Sequence, residues 1–266
     1  MKSERPAAIA IAAHPDDIEF SMAGTLCLLR RAGYETHYLN VASGSCGSTR
    51  YKAAQLRRMR LREAKDAAAV LGATFHAGRV DDIEILYAVP LIRWLTGIMR
   101  EVRPMVVLTH PPQDYMEDHT NTCRLVVTAA FARGMPNFRT TPVRRAWSGD
   151  VTVYHAMPHG LQDGLGRPVV PQLFVNTTSV QEEKLRALEC HRSQQEWLQQ
   201  TQGMNSYLRS MQDSARNMGR LSQKFDFAEG WCRHSSTGYC AEDADPLRDA
   251  LTGDYLINSK FARGAR

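Results

Sequence analysis

His14-Pro15-Asp16-Asp17-Ile18-Glu19 places an imidazole and two adjacent carboxylates directly behind an apolar run, Ala7 to Ala13. An imidazole with a carboxylate can ligate a divalent ion such as Zn²⁺, and a neighbouring carboxylate left free can move protons. Pro15 fixes its own φ at about −65° and drives His14 toward extended geometry, so the strand is expected to stop there. Asp16 and Asp17 then leave the turn in different directions, Asp17 joining His14 as ligand and Asp16 staying free as general base. A catalytic site needs a third protein ligand. His119, opening a helix behind the acidic loop Pro111 to Asp118, is the expected one. A His₂Asp set leaves a position for water, whose pKa the ion lowers toward ~7, and attack on an amide carbonyl is the reaction that fits best.

These residues need a frame that brings distant segments to one edge. The 266 residues, 43% hydrophobic and 23% charged, suit a globular chain with a sizeable core. No run approaches the ~18 apolar residues of a membrane span. The N-terminal segment lacks a signal-peptide pattern, so a cytoplasmic protein is expected. A net charge of +5, with the cluster Arg57 to Arg62 and no interleaved aromatics, reads as a solvated face rather than a nucleic-acid platform. Six cysteines without a Cys-x-x-Cys pair read as free thiols.

Along the chain, strands are expected at 7–13, 36–42, 74–76, 105–109, 151–156 and 172–178. Helices are expected at 22–32 (closed by Gly33), 50–71 (stopped by Gly72), 89–102 (ended by Pro104), 119–133 and 179–202. This alternation implies an α/β fold, Rossmann-like and doubly wound, with a mainly parallel sheet and helices on both faces. One domain is expected over 1–266, with a core at about 5–180 and a helical extension at about 181–266. Ligands of such sheets sit beyond the carboxyl ends of the strands. His14 to Asp17, the loop Ser43 to Ser48, and His110 with the acidic loop all fall there, which makes Ser43 and His110 candidate substrate contacts. Asp118 is placed to cap the following helix, Asp114 is a turn residue placed to orient His119, and Glu19 decorates a first helical turn.

The string Ala13 to Glu19, followed by Ala23-Gly24-Thr25-Leu26, resembles the signature of the LmbE-like or PIG-L family of zinc-dependent N-acetylglucosaminyl deacetylases. Asp118-His119 with Arg124-Leu125-Val126 is similar to the family's second metal motif. Arg60-Leu61-Arg62-Glu63 resembles its Arg-x-x-Glu helix, and His191-Arg192-Ser193-Gln194 a C-terminal element. The resemblance implies one Zn²⁺ (or another divalent ion) per chain on His14, Asp17 and His119, with Asp16 as base and Arg60 on the substrate. It also implies a small N-acetylated sugar or glycoconjugate as partner, and a trimeric or hexameric homo-oligomer. One departure stands out: many members carry a second histidine where this chain has Met116, and a thioether donates no hydrogen bond. Tyr115, His110 and His191 are the candidate replacements. An amidase on thiol-sugar conjugates would need the same centre, and Met116 keeps open a non-catalytic metal- or sugar-binding module.

Overall fold

The computed structural model describes residues 5–202, 207–259 and 261. In chain order its elements are β1 (Ala7–Ala12), α1 (Asp17–Ser21), α2 (Ala23–Arg31), β2 (Glu35–Asn40), α3 (Ala53–Val70), β3 (Thr74–His76), α4 (Val89–Val102), β4 (Pro104–Thr109), α5 (Glu117–Ala132), β5 (Thr152–Ala156), β6 (Leu173–Asn176), α6 (Gln181–Leu188), α7 (Arg192–Gln202), α8 (Tyr207–Ser222), β7 (Ala228–Arg233), α9 (Pro246–Ala250) and β8 (Tyr255–Ile257). The strands form one sheet in the order β3-β2-β1-β4-β5-β7-β6-β8. The first five run parallel, while β7 is antiparallel to both β5 and β6, and β8 to β6.

β1 is apolar throughout because both of its faces are covered. Ala8, Ala10 and Ala12 pack with Leu26 and Leu29 of α2, Ala64 and Ala67 of α3, and Ala187 of α6. Ile9 and Ile11 pack with Leu95 and Met99 of α4 and with Leu125 and Val126 of α5. The carboxyl ends of β1, β2, β4 and β5 therefore share one edge, and the strand order reverses between β1 and β4, where a doubly wound sheet opens a crevice. The expected α/β fold with helices on both faces is what is observed, and the six cysteines are free. Among the described residues, no helix is long and apolar enough to cross a membrane.

Two expectations need correction. The region 181–266 is not a purely helical extension, since it supplies β7 and β8, and β7 inserts between β5 and β6. Its sequence Ala-Glu-Gly-Trp-Cys-Arg conceals a strand because its Glu is there for a distant partner. Glu229, buried, accepts hydrogen bonds from the Gly24 and Thr25 backbone N–H groups (2.8 and 2.7 Å), the Thr25 hydroxyl (2.7 Å) and Lys184 Nζ (2.7 Å). It thus joins β7 to the first turn of α2, whose unpaired N–H groups favour an anion. Gly24 is required there, because a Cβ would lie 2.5 Å from Thr177. The stretch 179–202 is likewise not one helix but α6 and α7, broken at 189–191.

Removing Glu229 would leave Lys184 as an unpaired buried cation. Glu229→Ala is expected to cost about 3–5 kcal/mol in denaturant unfolding, and a loss under about 1 kcal/mol would contradict the role assigned to this pair. A pH effect follows from His37, whose Nδ1 lies 2.9 Å from His76 Nε2. Burial, with the facing His76, lowers His37 from 6.5 to about 4 despite Glu35 and Glu101. Between those values the unfolded chain binds the extra proton, so this contribution is complete above pH 6.5 and is lost as pH falls toward 4. Wild type should lose stability over that range relative to His37→Phe, and parallel midpoints would contradict it.

Candidate metal centre and active site

His14 leaves β1 in an extended turn whose carbonyl accepts from Asn40 Nδ2 at 2.7 Å. Asp16 then adopts φ +106° and caps α1, a strained conformation costing on the order of 1–3 kcal/mol that surrounding contacts must hold. That turn separates the two carboxylates. Asp17 Oδ2 accepts the His14 backbone N–H at 2.7 Å, while Asp16 Oδ2 accepts from the Tyr207 hydroxyl.

His14 Nδ1 lies 3.4 Å from Asp17 Oδ2, and His119 Nε2 lies 3.4 Å from Asp17 Oδ1. A tetrahedral ion with ligand bonds of ~2.0–2.1 Å sets its donors ~3.3 Å apart, so the trio has the spacing and donor chemistry of a divalent site. The remaining ring nitrogens are also held: His14 Nε2 faces Asp118 Oδ2 at 2.9 Å, and His119 Nδ1 faces Asp114 Oδ1 at 3.1 Å. Each carboxylate keeps the proton on the far nitrogen and aims the other lone pair at the shared centre. Although burial pushes His14 down, Asp118 and Asp17 outweigh it and raise the imidazole to about 9. Against the same burial, Asp17 and Asp114 raise His119 to about 10. Burial pushes the Asp17 carboxyl up, but the facing histidines hold it well below the usual carboxylate range. The pocket is an environment for positive charge.

A second trio, His110, Asp114 and His119, also has donor atoms close together. It is the poorer site. His119 would have to surrender its bond to Asp114, and His110 lies flat under His119 at 4.1 Å with an interplanar angle of 10°, so the two rings' in-plane lone pairs do not converge. His110 Nε2 instead accepts the Ala13 N–H at 2.9 Å.

Asp16 stays outside the trio. Tyr207 donates to its Oδ2 at 2.6 Å, and Arg60 Nη2 lies 3.9 Å from its Oδ1. Burial raises this carboxyl to about 6 against the opposing charge of Arg60. The structure thus brings His14, Asp16, Asp17, His110, Tyr115, Arg60 and His119 to one cavity of about 550 Å³.

Two candidates lie elsewhere. Ser43 donates to Asp81 at 2.6 Å and does not line the cavity. His191 is fully buried, 3.4 Å from Glu19, behind the wall rather than in it. Arg60 lines the cavity but is committed, donating to the Gly44 and Pro15 carbonyls at 3.1 and 2.9 Å. Gly44 (φ +73°) admits it, since a Cβ there would lie 2.5 Å from the guanidinium. Asp118 is not the cap of α5, a place taken by Met116; it sits in the first turn, accepts the Ile83 N–H at 2.7 Å and holds His14. Glu19 lies in the first turn of α1 as expected, and its side chain is buried there. Sequence reasoning missed Tyr207, His159 and Trp197, all of which line the cavity. His159 follows Pro158 just beyond β5, a strand end on the same edge, and that position was the available signal.

A model of the family described as PIG-L, GlcNAc-PI de-N-acetylase, matches residues 9–130. A diacetylchitobiose deacetylase of Thermococcus kodakarensis is 31% identical over 193 residues, 70% of this chain and 69% of that protein. The chain belongs to the PIG-L family. A 4-oxalmesaconate hydratase of Pseudomonas putida is 26% identical over 203 residues, covering 73% of this chain and 76% of its own. The solved N,N′-diacetylchitobiose deacetylase of Pyrococcus horikoshii superimposes with a TM-score of 0.74 at 23% identity, over 92% of this chain and 89% of that one, and so shares the fold.

Zn²⁺ titrated into metal-free protein is expected to bind once per chain and raise the melting temperature, by about 2.7 kcal/mol of stability at a free concentration 100 times Kd. His119→Ala should abolish this, and Asp118→Asn should weaken it about 10- to 100-fold. Unchanged affinity in both variants would contradict the trio.

Proposed function

We propose that this chain is a zinc-dependent N-deacetylase that hydrolyses the acetamide of an N-acetylglucosamine-type sugar. The observation that carries the reading is a carboxylate, Asp16, held beside a two-histidine, one-aspartate trio yet kept out of it by Tyr207. Zinc bound at the trio would supply Lewis acidity, acidifying water and polarising the amide carbonyl. Asp16 accepts the proton of the attacking water and returns it to the departing amine. Its upward shift to about 6 suits both halves of that task.

Phe20, Tyr115, Trp197 and His159 offer aromatic walls on which the apolar faces of a sugar can rest. Of the three residues weighed as donors in place of Met116, His191 lies outside the cavity and His110 is stacked beneath His119. Tyr115, whose ring meets the edge of His119 at 5.6 Å, takes that place, with His159 on its far side at 6.4 Å. In this reading residues 1–266 act as one cytoplasmic deacetylase domain with one zinc.

The Pseudomonas putida relative raises a hydratase reading, which calls for a cavity that pairs the carboxylates of an acid anion. Among the described lining residues the one Lys or Arg is Arg60, and both its Nη groups already serve backbone carbonyls. That favours a neutral sugar.

Zinc-loaded protein is expected to release acetate from at least one member of a panel of N-acetylated amino sugars and to stop when the metal is chelated. Asp16→Asn should keep the metal and lose about 10²- to 10⁴-fold in kcat. A fully active Asp16→Asn variant, or a panel that yields no acetate, would overturn the proposal.

A further inference from the structure

His191, the first residue of the His-Arg-Ser-Gln string, sits where α6 breaks into α7, and the break swings its ring into the protein. The imidazole is fully buried 3.4 Å from Glu19 Oε1. Among the described residues neither ring nitrogen has a hydrogen-bond partner, nor has Glu19 Oε1, whereas Glu19 Oε2 accepts from the Tyr38 hydroxyl at 3.2 Å. Two buried ionisable groups at that separation persist when each compensates the other's charge. Glu19 lies in the first turn of α1, which Asp16 opens as N-cap. Asp16, Glu19, Arg60 and His191 thus form a buried quartet of two acids and two bases.

Ser193, two residues on, explains how the corner is held. Its N–H and hydroxyl donate to the Glu63 carboxylate at 3.0 and 2.6 Å, one turn along α3 from Arg60. The motif is therefore a clamp with one end on α1, through His191, and the other on α3, through Ser193.

We infer that His191 is a positioning residue which, paired with Glu19, holds the strained Asp16 turn and keeps that carboxylate aimed at the substrate. This rests on the deacetylase reading above. Burial alone would lower the His191 imidazole, but the charges of Glu19 and Asp16 raise it against the opposing Arg60. The ring faces the Glu19 carboxylate at 3.4 Å.

The test compares zinc-loaded wild type with His191→Gln and with the double variant Glu19→Gln, His191→Gln. His191→Gln should lower kcat on the N-acetylated sugar about 10- to 100-fold, the range expected for a misaimed catalytic group, with KM and bound metal unchanged. The double variant removes the stranded carboxylate, so its melting temperature should recover while kcat stays low. A merely structural clamp would restore both together, and wild-type kcat in either variant overturns the inference. Should His191→Gln fail to fold, the double variant carries the kinetic comparison. In addition, ¹⁵N NMR of the wild type should show both His191 nitrogens protonated at neutral pH; a neutral ring overturns the inference. Wild type that releases no acetate counts against the deacetylase reading instead, and the NMR result still decides the state of the ion pair.

Discussion

Asp118, His14, Asp17, His119 and Asp114 form a buried alternation of three carboxylates and two imidazoles, with successive contacts of 2.9, 3.4, 3.4 and 3.1 Å. Like charges next to one another in a poorly solvated crevice would repel strongly, whereas alternation makes each group the solvent of the next. With an ion at the centre, the lone pairs that the outer carboxylates orient and the Asp17 carboxylate would all face it. The rest of the molecule serves to keep these five side chains in register. β1 and β4 must be neighbours so that the segments after them meet. α5 must begin two residues before His119, so that Asp118 and His119 leave one turn toward two different partners.

Much of this was legible because it is local. Apolar runs ending in chemistry marked β1 and β4, and Gly72 stopped α3 where a left-handed residue was needed. α4 was delimited at both ends, although Arg103 at φ +52° carries the turn before Pro104. The trio itself could be read from residue types plus the rule that parallel strands deliver their ends to one edge. What escaped is decided by partners far away in the chain. The break at 189–191 contains no Gly or Pro; it exists because His191 and Ser193 find Glu19 and Glu63. β7 reads as polar because Glu229 belongs to the start of α2. Asp118 looks like a cap, and only the fold shows that its carboxylate is pointed at His14, 104 residues earlier.

The C-terminal third matters more than its weak patterning suggests. It inserts a strand between two core strands, sends Tyr207 to Asp16, and puts Trp197 on the cavity wall. The match to the family model ends at residue 130, so the metal trio, its flanking carboxylates and Arg60 fall within the matched part, while Tyr207, which donates to Asp16, and Trp197 and His159 on the cavity wall fall beyond it. The later segments add His159, Trp197 and Tyr207 to a cavity whose single arginine among the described residues, Arg60, and whose Phe20 and Tyr115 come from the matched part.

The most direct measurement of the central claim is anomalous scattering at the zinc edge from crystals of the metal-loaded protein. The expected result is one ion per chain within bonding distance of His14 Nδ1, a carboxylate oxygen of Asp17 and His119 Nε2, with Asp16 still bonded to Tyr207. An ion held instead by His110 and Asp114, or by Asp16, would contradict it.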